Sequence, residues 1–240
     1  MSIYVGVALV VALATCAQVV SGFGFALIAI PILALLAGPK AAVVGTTIVG
    51  PLLTASIVVR DRHHIRRRTA VTVTLAAIVG MPVGLLVLSR VSDRALTALI
   101  GVIVVLAGLA LWRGVRVPAG RRSELGAGLV SGALATSTGT NGPPLVILLH
   151  SESLEPREFR GTLSASFFVQ GVVAVFAFWL SGDLTADAAR VALAALPGLA
   201  VGWLVGERLF KGIRKDRFRT LVLVMLIASG VVSVVGALVA

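Results

Sequence analysis

The chain has 240 residues, of which 58% are hydrophobic and 13% charged, with a formal net charge of +11 and a mean hydropathy of +1.05. A soluble domain carries roughly 25% charged residues, so an ordinary water-soluble globular protein is excluded. In a membrane protein a basic excess orients the loops and does not mark a nucleic-acid partner.

Asp, Glu, Lys and Arg are absent from eight long windows: 1–39, 41–59, 69–89, 95–112, 125–151, 161–182, 191–206 and 220–240. About 20 helical residues cross the hydrocarbon core, and most windows have that size. Only helices and closed barrels satisfy their backbone in lipid. A barrel strand alternates apolar with polar residues, whereas runs such as Val71 to Leu88 and Leu221 to Val235 are apolar on every side. The predicted architecture is therefore an all-α polytopic membrane protein.

The first window lacks a basic n-region and a cleavage site leading into a soluble domain, so it reads as mature structure and not as a signal peptide. Its lone cysteine, Cys16, has no intrachain partner and no metal-ligand spacing, and reads as a small packed residue. The segment Ser21-Gly22-Phe23-Gly24 interrupts the window, which predicts a helix, a break and a second helix through Pro31. Window 41–59 is a span that ends at the loop 60–68, where five arginines surround His63 and His64. That loop, the connector 113–122 with four arginines and the segment 206–219 with six basic residues are all predicted to be cytoplasmic. The two histidines have no acidic or cysteine partner nearby and read as solvated. Windows 69–89 and 95–112 are single spans joined by a turn at 90–94.

Counting spans back from 206–219 places residues 151–160 inside, the same side as 113–122. The 27-residue window 125–151 must therefore leave and return on one face. Two full crossings would need about 40 residues, so two short helices are expected to meet within the membrane, interrupted across 136–144. The first window is expected to behave alike, either re-entering or crossing twice, and the termini are predicted to lie outside.

Both halves then share one plan, a broken hairpin followed by three spans. Val44-Gly45-Thr46-Thr47 resembles Arg160-Gly161-Thr162-Leu163, and Gly80-Met81-Pro82-Val83-Gly84 resembles Gly198-Leu199-Ala200-Val201-Gly202, at offsets of 116 and 118 residues. The near-constant offset predicts duplication, and the odd number of spans after each hairpin makes the repeats inverted. The expected organisation is a first membrane repeat over 1–112, a basic connector over 113–124 and a second repeat over 125–240, with about eight helical segments in all. Inverted repeats with discontinuous helices characterise secondary transporters, whose site lies where the interrupted helices meet.

Polar backbone at membrane depth is tolerated where it is buried in protein or lines a watery cavity. Pro143 and Pro144 suit a first helical turn, where a missing N–H is no loss, so a half-helix over 143–150 should start at the break with its positive dipole end inward. Such an end suits an anion. The backbone N–H groups of Gly22, Gly24, Asn141 and Gly142 are the expected donors, with Ser21, Thr138, Gly139 and Thr140 beside them. Gln18, Thr46, Thr162 and Gln170 are the polar groups on neighbouring segments. No Lys or Arg sits at a window centre, where it would cost about 2.5–3.5 kcal/mol, so a small oxyanion is expected to be held by neutral donors. The GxxxG pairs Gly80/Gly84 and Gly198/Gly202 read instead as helix packing. Trp112, Trp179, Trp203 and Tyr4 lie near window ends, as interfacial aromatics do.

These segments carry a family resemblance. The break Ser21-Gly22-Phe23-Gly24-Phe25 leading to Pro31, the turn Ser89-Arg90-Val91-Ser92-Asp93-Arg94, the break Gly139-Thr140-Asn141-Gly142-Pro143-Pro144 and the segment Pro156-Arg157-Glu158-Phe159-Arg160-Gly161-Thr162 together resemble the TauE/SafE sulfite exporter family of bacterial membrane proteins. The resemblance implies about eight membrane helices in two related halves, a place in the bacterial inner membrane, and transport of sulfite or organosulfonates. The expected function is a secondary transporter working by alternating access, without a cofactor, coupled to H+ or Na+ or to no ion. An anion channel or facilitator is the alternative. An assembly or anchor subunit would need no paired breaks, and serine chemistry would need a base that the windows lack. The expected partners are the small anion and the lipid bilayer.

Overall fold

A computed structural model describes residues 3–152 and 154–210 of the chain. Within them the elements are helices: α1 (Ile3–Ser21), α2 (Phe25–Ala37), α3 (Pro39–Asp61), α4 (Arg67–Arg90), α5 (Asp93–Trp112), α6 (Arg121–Ser137), α7 (Gly142–Ser151), α8 (Pro156–Ser181) and α9 (Ala186–Phe210), with a 3-10 turn over Arg62–His64. Both predicted breaks are present, between α1 and α2 and between α6 and α7. The expected final span at 220–240 and most of the basic segment 206–219 lie outside the described residues.

Among the described residues six helices, α1, α3, α4, α5, α8 and α9, are long and apolar enough to cross a membrane, whereas α2 and α7 have 13 and 10 residues. At 1.5 Å per residue the two short helices reach about 20 and 15 Å. Each is shorter than a hydrocarbon core of about 30 Å. Local chemistry sets the helix ends. Ser92 caps α5 by accepting from the N–H of Ala95 at 3.4 Å, and proline occupies the first turn of α3, α7 and α8, where its fixed φ suits a helix start. Helix α8 begins earlier than its window because Arg157, Glu158 and Arg160 form its first turns; charge bounds the lipid-facing part of a helix, not the helix itself.

Each helix has a lipid side and a protein side. On α4, Val71, Leu75, Val79, Val83 and Leu86 are exposed while Val73, Ala77, Met81, Gly84 and Leu88 are buried. An exposed apolar stripe of that length is a liability in water and the normal outer face of a helix in lipid.

Glycines bring the helices together. A Cβ at Gly80 would overlap the carbonyl oxygen of Leu129, and one at Gly84 would overlap that of Ala133, which seats α4 on α6. In the same way Gly198 and Gly202 of α9 lie on the carbonyls of Ala8 and Ala12 of α1. Both pairs act in packing, as their spacing predicts. Cys16 lies in the second of these seams, beneath Gly206. Helices α3 and α8 cross where Gly171 meets the ring of Pro51, a contact that would place an added Cβ 2.9 Å from Pro51 Cγ. The site lies along this crossing.

Candidate functional site

A cavity of about 80 Å³ lies between α3 and α8 and is lined in part by the two breaks. It has several times the ~10–15 Å³ that one water molecule needs. Gln18, Gly24, Thr46, Gly139, Asn141, Gly142 and Gln170 line it, so seven of the twelve expected residues come together there. The other five lie elsewhere. Ser21 donates to the carbonyl of Ala17, Gly22 packs on Arg160, Thr138 and Thr140 pair hydroxyl to hydroxyl at 2.7 Å, and the Thr162 hydroxyl accepts from the N–H of Arg66 at 3.0 Å.

Gln170 organises the polar wall. It is fully buried, and its Oε1 accepts from Asn141 Nδ2 at 3.0 Å and from the Ser131 hydroxyl at 3.1 Å. Its Nε2 is buried without a partner among the described residues. A buried unmade donor costs about 1–3 kcal/mol. The opposite wall is tied down: Gln18 Oε1 accepts from the N–H of Phe25 at 3.1 Å and holds the start of α2 against the end of α1.

Positive φ angles shape both breaks. Gly24 at φ 108° turns the chain into α2, and Gly139 at φ 68° turns it toward α7; an L side chain rarely adopts either conformation. The loops approach the cavity from different levels. Gly22 lies on Arg160, whose side chain is bonded to Asp61 at the C-terminal end of α3, whereas Gly139 lies against Ile30 and against Val43 near the N-terminal end of α3. The two loops therefore touch α3 at different levels. They reach the α3–α8 crossing through Gly24 on one side and Asn141 and Gly142 on the other.

The backbone donors are fewer than expected. The N–H of Gly22 donates to the Gln18 carbonyl at 2.7 Å and so completes α1 instead of facing the cavity. Pro143 and Pro144 have no N–H, which removes two of the four groups that a helix start normally leaves open. The N–H groups of Gly24, Asn141 and Gly142 donate to no acceptor among the described residues. They are among the hydrogen-bond donors of the cavity lining, and the start of α7 adds its dipole. The threonines differ: Thr46, Thr47 and Thr54 donate back to helix carbonyls at 2.6, 2.7 and 3.0 Å.

Sequence reasoning missed Gly50, Pro51, Thr54, Phe167 and Gly171, which also line the cavity. A signal for two of them existed. Thr46, Gly50 and Thr54 recur every four residues, the spacing of one helix face.

A layer of charge lies beyond the cavity, near the loops predicted to be cytoplasmic. Arg66 pairs with Glu158 at 3.3 Å and with Glu152 at 4.0 Å, and Glu124 accepts from the Thr69 hydroxyl at 3.3 Å. Burial raises the Glu152 carboxyl above its ordinary value, the nearby Glu124 raises it further, and Arg66 opposes both. A carboxyl raised in this way binds more protons folded than unfolded, so its contribution to stability falls as pH rises from the ordinary carboxylate range through the raised one. Glu152→Gln is therefore expected to melt higher than wild type at neutral pH and level with it below the carboxylate range, as read by thermal denaturation in detergent. An unchanged difference across both ranges contradicts this. Among the described residues no cluster of His, Cys, Asp and Glu could hold a metal ion.

Comparison with known proteins adds a second line of observation. The family model described as sulfite exporter TauE/SafE matches residues 7–233. A probable sulfite/organosulfonate exporter TauE of Cupriavidus necator is 28% identical over 201 residues, which cover 80% of this chain and 78% of that protein. No solved structure matches.

Proposed function

The chain belongs to the sulfite exporter TauE/SafE family, whose members are membrane transporters and not enzymes, and from that premise we propose that it carries sulfite or an organosulfonate across the bacterial inner membrane by alternating access. The observation that carries this reading is Gln170, a residue of the cavity lining whose buried Nε2 donor has no partner among the described residues. Around it the proposed ligands are Gln18 and the N–H groups of Gly24, Asn141 and Gly142, with Thr46 in the same lining. All are neutral, so the anion is held without a buried cation and can be released to either side.

The moving parts are two inverted repeats, residues 1–112 and 125–240. Support comes from the matched seams: α4 sits on α6 through Leu129, Ala133 and Thr136, and α9 sits on α1 through Ala8, Ala12 and Thr15, each partner 121 residues from its counterpart. Helices α3 and α8 carry the paired Thr46 and Thr162 and cross at the site. Rocking of the seams about this crossing would expose the cavity to each side in turn.

Counterflow of labelled sulfite in proteoliposomes tests the reading. Asn141→Ala removes the group that orients Gln170 and is expected to slow exchange about tenfold, the size of one hydrogen bond to an ion. Thr140→Ala, outside the cavity, is expected to stay within about twofold by the same reasoning. Equal loss in both variants, or none in Asn141→Ala, contradicts the assignment. Imposed proton and sodium gradients then separate an H+- or Na+-coupled carrier from a facilitator. A channel would be distinguished by conducting currents without counterflow.

A further inference from the structure

The most deeply buried charges among the described residues do not line the cavity. Arg160 Nε donates to Asp61 Oδ2 at 2.7 Å, with the two side chains 5% and 4% exposed. Arg160 Nη1 also donates to the carbonyl of Val19 at 3.3 Å, in the last turn of α1. Gly22, in the first break, packs so closely on Arg160 that an added Cβ would lie 3.1 Å from Cγ and 3.3 Å from Cα, and Gly161 packs on Asp61 in the same manner. One ion pair thus joins the end of α1, the first break, the end of α3 and the start of α8.

Physical cost argues against a mere staple. Desolvating two charges costs several kcal/mol per ion, and a well-packed apolar pair often holds a fold as well or better. The chain itself supplies the comparison. At the 116-residue offset between its halves, the counterparts of Asp61 and Arg160 are Ala177 and Val44. One end of the α3–α8 pair is therefore built from apolar residues and the other from an ion pair. The charged end adjoins the arginine-rich loop 60–68 and the seam where Arg60 pairs with Glu207, on the side predicted to face the cytoplasm.

Resting on the transport reading above, we propose that Arg160 is a second anion site, on the cytoplasmic side of the cavity, that Asp61 occupies in this conformation. A guanidinium binds an oxyanion by the same forked geometry with which it binds a carboxylate. When a sulfur oxyanion replaces Asp61, the bond that ties α3 to α8 and to the first break is broken. Arrival of substrate on that side and release of the lock are then one event.

Equilibrium binding of radiolabelled sulfite to purified protein tests this. Asp61→Asn keeps the shape of the side chain but removes its charge, and is expected to bind sulfite about tenfold more tightly than wild type. The gain should disappear in Asp61→Asn combined with Arg160→Gln, and should persist when Asp61→Asn is combined with Gln170→Leu, whose central cavity is disabled. Affinity of Asp61→Asn equal to wild type, or a gain that survives loss of Arg160, overturns the proposal. Failure of Gln170→Leu to weaken wild-type binding would instead count against the central cavity alone. The paired variant Asp61→Leu with Arg160→Leu restores an apolar contact and guards against misfolding. It is expected to purify as wild type yet lose sulfite exchange, and wild-type exchange from that protein would reduce the ion pair to a staple and overturn the proposal.

Discussion

Gln170→Leu is expected to weaken sulfite binding by ten- to a hundredfold while leaving a folded, monodisperse protein. Hydrogen bonds to charged groups contribute about 1.5–3 kcal/mol, and each 1.4 kcal/mol is a factor of ten in affinity. Leucine keeps most of the volume of the side chain but deletes the free Nε2 donor, and it also removes the acceptor shared by Asn141 and Ser131. Two effects therefore act in one direction: the anion loses a ligand, and Asn141 loses the bond that fixes it beside the start of α7. Gln170→Glu sharpens the test, because an ionised carboxylate at the same point would repel the guest, and binding at neutral pH should fall further than in Gln170→Leu. Isothermal titration with sulfite reads both. If Gln170→Glu binds sulfite as wild type does, the guest is not held at this wall.

The second large effect is on assembly. Gly132 of α6 lies on the carbonyl of Ala77 so closely that an added methyl would overlap it, whereas Gly126, on the same helix, has nothing within 4 Å of an added Cβ. Gly132→Ala must push α4 away from α6, and overpacking of this kind costs about 1–3 kcal/mol and sometimes more. Gly126→Ala removes a helix-weakening glycine and is worth up to about 1 kcal/mol in the other direction. The same substitution in one helix should thus lower the melting temperature at one position and hold or raise it at the other. Gly198→Ala should repeat the loss in the α1–α9 seam. Thermal melting with size-exclusion chromatography decides this, and equal melting of Gly126→Ala and Gly132→Ala would contradict the packing described.

Much of this architecture was legible because lipid imposes simple rules. Charge-free windows gave the spans, and the two glycine-bearing interruptions stood out because turn-forming residues at membrane depth are rare. The GxxxG pairs announced their seams. The site was harder to read for a definite reason: which side of a helix faces a cavity depends on the crossing partner. Thr138 and Thr140 satisfy one another, and the N–H of Gly22 closes the last turn of α1, so groups that look available in sequence are already bonded. Thr54 lines the cavity beside the point where α8 crosses α3 at Pro51. Arg160 and Asp61, 99 residues apart in sequence, each sit at the edge of a window and read as ordinary loop charges until the fold joins and buries them.

The location of the guest is the decisive fact, and a heavier analogue can report it. Crystals grown with selenite, whose selenium scatters anomalously where sulfite's sulfur would sit, should show a peak within hydrogen-bond distance of Gln170 Nε2, between Gly24 and Gly142. Selenium found only among the arginines of the 60–68 loop, with the cavity between α3 and α8 empty at saturating selenite, would contradict the central assignment.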